Sequence, residues 1–163
     1  MHDTISLWMS RPQQKPWPLM TLLDDMRATT HRLAVVTYAL TDPSLAVGII
    51  ESPATGKLVI IHPDVLSLAA DAVQMLTDYF RYAQGLALGS GLHHARCPNG
   101  GVMHAKMALT DTVLWCGSAN FTPASHLRNV EVVLRITEPS VVAKAWHEVE
   151  ALRGAARCVA RAL

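Results

Sequence analysis

MHAKMALTDTVLWCGSAN, residues 103–120, sets His104, Lys106, Asp111, Ser118 and Asn120 among largely apolar neighbours. "VMHAKMAL" and "VLWCGS" read as two short strands joined by a tight turn at Asp111 and Thr112. In a strand, side chains two apart share a face, so His104 and Lys106 project together while Met103, Ala105 and Met107 pack on the other side. Ser118 and Asn120 repeat the arrangement after the turn. If the two strands pair, an imidazole, an ammonium, a hydroxyl and an amide converge on one small volume. Such a set stabilises the negative charge that grows on a phosphodiester during displacement. The imidazole adds a nucleophile or proton carrier that works near neutral pH. A histidine used in this way needs an acceptor for its other nitrogen, and Glu131 and Asp111 are the carboxylates in reach. Plainer roles exist for the same residues: Ser118 and Asn120 as caps of a helix suggested by "FTPASH", and Asp111 as a turn residue.

Outward from this stretch, strands alternate with helices. "RLAVVTYAL" (32–40) and "KLVIIH" (57–62) are apolar, β-branched runs fit for buried strands. "TDPSLAVGIIE" (41–51) between them opens with a cap and an early proline, as a helix does. Residues 19–30 carry helical spacing at Leu19, Leu22, Leu23 and Met26, and 63–85 reads as the longest helix, closed by Gly85. "LALGSGL" (86–92) suits a short strand and "HHARCPNGG" a loop; "VEVVLRI" (130–136) is another strand and 138–163 a terminal helix. The expected fold is α/β, a mixed β-sheet flanked by helices on both faces. Pro12, Pro16 and Pro18 mark residues 1–18 as an irregular N-terminal arm, leaving 19–163 as one catalytic domain.

Composition narrows the class. At 163 residues, half of them hydrophobic and 17% charged, the chain can bury a large core or a subunit interface. No apolar run reaches the roughly 18–20 residues of a membrane span. The N-terminus has no signal-peptide pattern, and three cysteines without CxxC spacing suit reduced thiols, so a cytoplasmic location is expected. A formal charge of +1 does not itself advertise a nucleic-acid partner.

"HAKMALTDTVLWCGSANFT" resembles the signature of the phospholipase D superfamily: His-x-Lys, four residues, Asp, about six residues, Gly-Ser-x-Asn. His104, Lys106, Asp111, Gly117, Ser118 and Asn120 match in identity and order, although only five residues separate Asp111 from Gly117. The resemblance covers residues 19–154, and Glu131 stands where small members carry an acidic partner for the histidine. It implies a homodimer, since the chain has one motif and the family works with two, with the active site at the two-fold interface. It also implies a phosphohistidine intermediate, no metal and no cofactor. Small single-motif members include endonucleases with little sequence preference, so DNA or RNA is the expected substrate. Arg96, His94 and Arg128 are then candidate substrate contacts, with Arg11, Lys15 and Arg81 as further basic residues able to meet phosphates. Two alternatives remain: a phospholipid hydrolase, and a non-catalytic nucleic-acid-binding module on the same fold. A zinc site from His93, His94, Cys97, His104 and Cys116 has ligand types but no compact spacing. His31, His62, His126 and His147 are expected to be structural or exposed.

Overall fold

A computed structural model describes residues 4–11, 18–63, 70–97 and 99–161. These residues form one eight-stranded sheet flanked by helices. The order along the chain is β1 (Ile5–Ser10), α1 (Leu19–Ala28), β2 (Arg32–Thr37), α2 (Pro43–Glu51), β3 (Gly56–Ile61), α3 (Asp71–Tyr82) and β4 (Gly91–His94). There follow β5 (Lys106–Leu109), β6 (Leu114–Gly117), α4 (Pro123–Leu127), β7 (Glu131–Ile136), α5 (Pro139–Ala155) and β8 (Arg157–Arg161). In space the strands run β1-β7-β6-β5-β2-β3-β4-β8. β2, β3 and β4 are parallel and every other pairing is antiparallel, so the sheet is mixed.

The central strands explain their own composition. In β2 and β3 all residues but the first are buried, because both faces of the sheet are covered. Leu33, Val35, Val59 and Ile61 join a core with Leu22 and Met26 of α1, Leu45 and Ile49 of α2, and Leu76 and Phe80 of α3. Ala34, Val36, Leu58 and Ile60 point the other way, to Val142, Trp146 and Val149 of α5. Asp42 caps α2 by accepting from Ser44 N at 2.8 Å, with Pro43 at the first helical position, as "TDP" foretells.

Four elements differ from the sequence reading. Residues 5–10 are not irregular: they pair with β7 as an edge strand, and the buried Trp115 ring stacks on Trp8 at 5.3 Å. The strand expected at 86–92 begins only at Gly91 and takes in His93 and His94, whose sequence suits a loop. The last helix stops at Ala155, and Arg157–Arg161 pair with β4. Helical and strand patterns cannot be told apart over so short a run; the open edge of β4 decides it. α5, at 17 residues, exceeds the 12 of α3, whose expected first turns at 64–69 lie outside the described residues.

Candidate active site

The ends of five neighbouring strands meet at one edge of the sheet. Tyr38 follows β2, His62 follows β3, Lys106 opens β5, Ser118 follows β6 and Glu131 opens β7. The carboxyl ends of parallel strands are where open α/β sheets place their ligands. His104 lies just ahead of β5, exposed, beside a Lys106 that is only 9% exposed. Lys106 Nζ lies 3.1 Å from His104 Nδ1 and donates to the His104 carbonyl at 2.8 Å. The Tyr38 ring is tilted against His104 at 5.1 Å and stacks on His62 at 5.3 Å, with Lys106 Nζ 5.9 Å from its centre.

Two of the motif's residues reach this place by a crossing. Phe121 N donates to the Ala39 carbonyl at 3.1 Å, and the Phe121 carbonyl accepts from Thr41 and Asp42. The segment 118–121 therefore runs from the end of β6 to the end of β2 and passes over the start of β5 between them. That carries Ser118 and Asn120 to the Lys106 end of the sheet. Neither caps a helix: Thr122 caps α4, accepting from Ser125 N at 3.2 Å. The buried Oδ1 of Asn120 has no hydrogen-bond partner among the described residues, an open acceptor in a place where open acceptors are rare. Gly117 is required for packing, because a Cβ there would collide with the Val132 carbonyl of the adjoining strand.

Glu131 is 8% exposed and held firmly. Ser118 Oγ donates to its Oε2, Asn129 Nδ2 donates to Oε1 at 3.1 Å, and Ser10 Oγ accepts from its backbone N at 3.1 Å. Within this chain the described hydrogen bonds of the Glu131 carboxylate go to Ser118 and Asn129, not to His104. β6 lies between β7 and β5, so Ser118 meets the carboxylate first. Electrostatically Glu131 still reaches Lys106. Burial pushes the Lys106 ammonium below its ordinary value, and the Glu131 charge opposes that fall.

Asp111 is elsewhere. Its carboxylate accepts from Thr29 Oγ1 (2.7 Å) and from the backbone N of Thr30, His31 and Arg32 (3.2, 3.0 and 2.9 Å), tying the α1–β2 turn to the β5–β6 turn. Burial raises its pKa, but those four hydrogen bonds outweigh burial and the net shift is downward. Five residues from Lys106 along β5 amount to about 17 Å, so Asp111 is a fold residue at the far end of the strand. His94 and Arg96, at and after the end of β4, are also apart from His104, because β2 and β3 intervene. They line a separate cavity of about 330 Å³ with Pro63, Ala155 and Arg157. Arg128 is exposed at the end of α4.

Four residues near the site were not among the candidates read from the sequence. Tyr38 and His62 flank the histidine, and a signal existed: each directly follows a buried parallel strand. Asp42 and His126 form a buried pair at 2.7 Å that joins α2 to α4. Burial lowers the His126 pKa, while Asp42 and, more weakly, Glu131 raise it. Among the described residues no group of three or more His, Cys, Asp or Glu is arranged to hold a metal ion, and the five candidate zinc ligands are dispersed. No described helix is long and apolar enough to cross a membrane.

Residues 22–153 match the family described as cardiolipin synthase, PLD-like domain. No curated protein sequence matches the chain. A phospholipase D family member, Nuc from Salmonella typhimurium, is structurally similar, with a TM-score of 0.75 at 15% identity over 96% of this chain and 99% of that one. NucT from Helicobacter pylori gives 0.70 at 20% identity, covering 95% of this chain and 98% of that one. The phosphatidylserine synthase of Haemophilus influenzae gives 0.68 at 13% identity over 95% of this chain but 39% of that one. At these identities the likeness is one of fold. With the family match spanning most of its length and the His104–Lys106 pair at the sheet edge, the chain belongs to the phospholipase D superfamily.

Proposed function

We propose that the protein is a phosphodiesterase cleaving DNA or RNA, acting through His104 at the interface of a homodimer. The observation that carries this reading is an exposed imidazole whose Nδ1 lies 3.1 Å from a buried ammonium, beside the crossing segment that bears Ser118 and Asn120. Structural neighbours of nearly this chain's own length support a single-motif enzyme of the same plan.

The proposed reaction is a double displacement. Nε2 of one His104 attacks phosphorus, forming an N–P bond as the P–O bond to the leaving group breaks. The second His104, from the partner, protonates the departing oxygen. Water, deprotonated by that second histidine, then attacks phosphorus and returns the electron pair to Nε2. Lys106 and Asn120 hold the non-bridging oxygens, and Ser118 joins them by turning its hydroxyl from Glu131. The observed contact suits the acid role: a Lys106 ammonium donating to Nδ1 leaves the proton of a neutral ring on Nε2. In the attacking role Lys106 turns to a phosphoryl oxygen, and Nδ1 keeps its proton instead.

The test is incubation of plasmid, single-stranded DNA, RNA and phosphatidyl lipids in EDTA, with wild-type protein and His104→Ala. Nucleic-acid cleavage that the variant loses supports the reading. Lipid turnover alone, or cleavage abolished by chelation, overturns it.

A further inference from the structure

The near-neutral net charge hides a basic edge. β8 ends the sheet, and among the described residues nothing pairs with its outer side. Its register places Arg157 opposite His94 and Arg161 opposite Gly91, with a shift between Leu92 and His93, so the two arginines stand on opposite faces of the edge. Arg96 follows β4, and Arg153 lies on the last turn of α5, so four arginines collect on one sheet edge. Arg153 pairs with Glu150 at 2.8 Å, whereas no described carboxylate pairs with Arg96, Arg157 or Arg161. With these four set aside, ten basic residues face thirteen acidic ones, so the rest of the chain is net negative.

A cavity lies at each end of the edge. The near one, about 330 Å³, is lined by His94, Arg96 and Arg157. The far one, about 760 Å³, is lined by Leu88, Gly89, His93, Arg153, Cys158 and Arg161. His93, 8% exposed, lines the far cavity, and among the described residues its buried Nδ1 has no hydrogen-bond partner; nor has the buried Nε2 of His94. Gly89, at φ +91°, leaves room for the Arg153 guanidinium, which a Cβ would strike.

We propose that the β4–β8 edge is a backbone-phosphate track for single-stranded nucleic acid leaving the His104 centre, with Arg96 and Arg157 at its near end and Arg153, Arg161 and the buried His93 at its far end. The inference rests on the nucleic-acid reading of the site. From β5 to β8 the path crosses four strand spacings, about 19 Å, over the Tyr38 and His62 rings. It then turns down β8 for about 13 Å, from Arg157 to Arg161. A single strand can follow such a turn; a duplex, stiff over about 50 nm, cannot. Guanidinium groups suit phosphate oxygens, whose planar fork they match in pairs. The histidines report the same field: burial and then Arg153 lower the His93 pKa, and burial and then Arg157 and Arg96 lower that of His94. Cations on both faces of a strand edge, with a concavity at each end, fit a chain that wraps the edge better than a flat anionic membrane.

The track is tested with the triple variant R96A/R157A/R161A in both wild-type and His104→Ala backgrounds, with Lys144→Ala as an exposed control. Binding of a labelled single-stranded oligonucleotide is read by anisotropy across a salt series, and hydrolysis of bis(4-nitrophenyl) phosphate reports the centre itself. The inference predicts a salt slope shallower by about two for the three lost phosphate contacts, at about 0.7 each on single strands. Affinity at low salt falls, and turnover of the small diester stays at the wild-type level. An unchanged slope in a folded triple variant overturns the track. So does a variant that loses only its binding to phosphatidylglycerol vesicles while holding the oligonucleotide as before. A wild-type protein that cleaves no diester sinks the catalytic reading instead, and the slopes measured in the His104→Ala background still decide the track.

Discussion

At the scale of the residue, the site turns on how Lys106 is charged. Burial weakens its hold on its proton and Glu131 restores part of it. Removing the carboxylate charge with Glu131→Gln therefore lowers the Lys106 pKa further. The alkaline limb of the kcat/KM profile shifts to lower pH in that variant; an unmoved or raised limb shows that Lys106 titration does not govern turnover. Lys106→Ala removes a fixed donor to the phosphoryl oxygens and lowers kcat by about 10²- to 10³-fold, measured on a small diester to exclude losses in polymer binding. The residues of the signature were legible from their order alone, but their partners were not. The strand expected from Val102 starts only at Lys106, so His104 stands ahead of it and no strand period joins the two, yet their side chains lie 3.1 Å apart. No sequence pattern says that β6 comes between β5 and β7, and that order gives Glu131 to Ser118 and Asn129 rather than to His104.

At the scale of the element, a half-buried carboxylate and a buried ammonium hold the scaffold. Asp111→Ala strips the α1–β2 turn of its acceptor and costs about 2 kcal/mol of stability by denaturant unfolding, while kcat of the folded fraction is unchanged. A large fall in kcat with stability intact would return Asp111 to the catalytic set. Its folded pKa is depressed, so its contribution is present above the ordinary carboxylate range and is lost as pH falls through the folded value. Lys57 on β3 has the opposite history. Its ammonium is buried, donating to the Ile50 carbonyl at 2.7 Å and the Tyr79 hydroxyl at 2.9 Å, and burial brings its pKa to about 8 from 10.5. The unfolded chain binds more protons between those values, so the stability of wild type relative to Lys57→Met rises as pH climbs from about 8 to 10.5. A flat difference over that range contradicts a buried ammonium. The strongly apolar strands β2 and β3 declared themselves in the sequence because burial on both faces leaves an uninterrupted run. β1 and β8 did not: edge strands are half exposed, and only the neighbour waiting for them makes them strands.

At the scale of the whole molecule, one chain carries one His104, and the proposed chemistry uses two. Mixing wild type with increasing His104→Ala, after exchange of subunits, therefore lowers activity as the square of the wild-type fraction. A linear fall contradicts a shared site. The hydrophobic surplus of the sequence accounts for two full cores, one on each face of the sheet. The basic edge, by contrast, was invisible in a net charge of +1, because Arg96 is separated by more than fifty residues from the arginines it joins across β4 and β8.

The central claim is that the His104 imidazole takes the phosphoryl group into a covalent bond. Acid-avoiding quench of the protein with a labelled diester in EDTA, followed by mass spectrometry of the peptide containing residues 103–107, measures this directly. The expected result is an acid-labile phosphoryl adduct on His104 that forms before product is released and is absent from His104→Ala. Steady turnover with no adduct on that peptide, or turnover retained by His104→Ala, would contradict it.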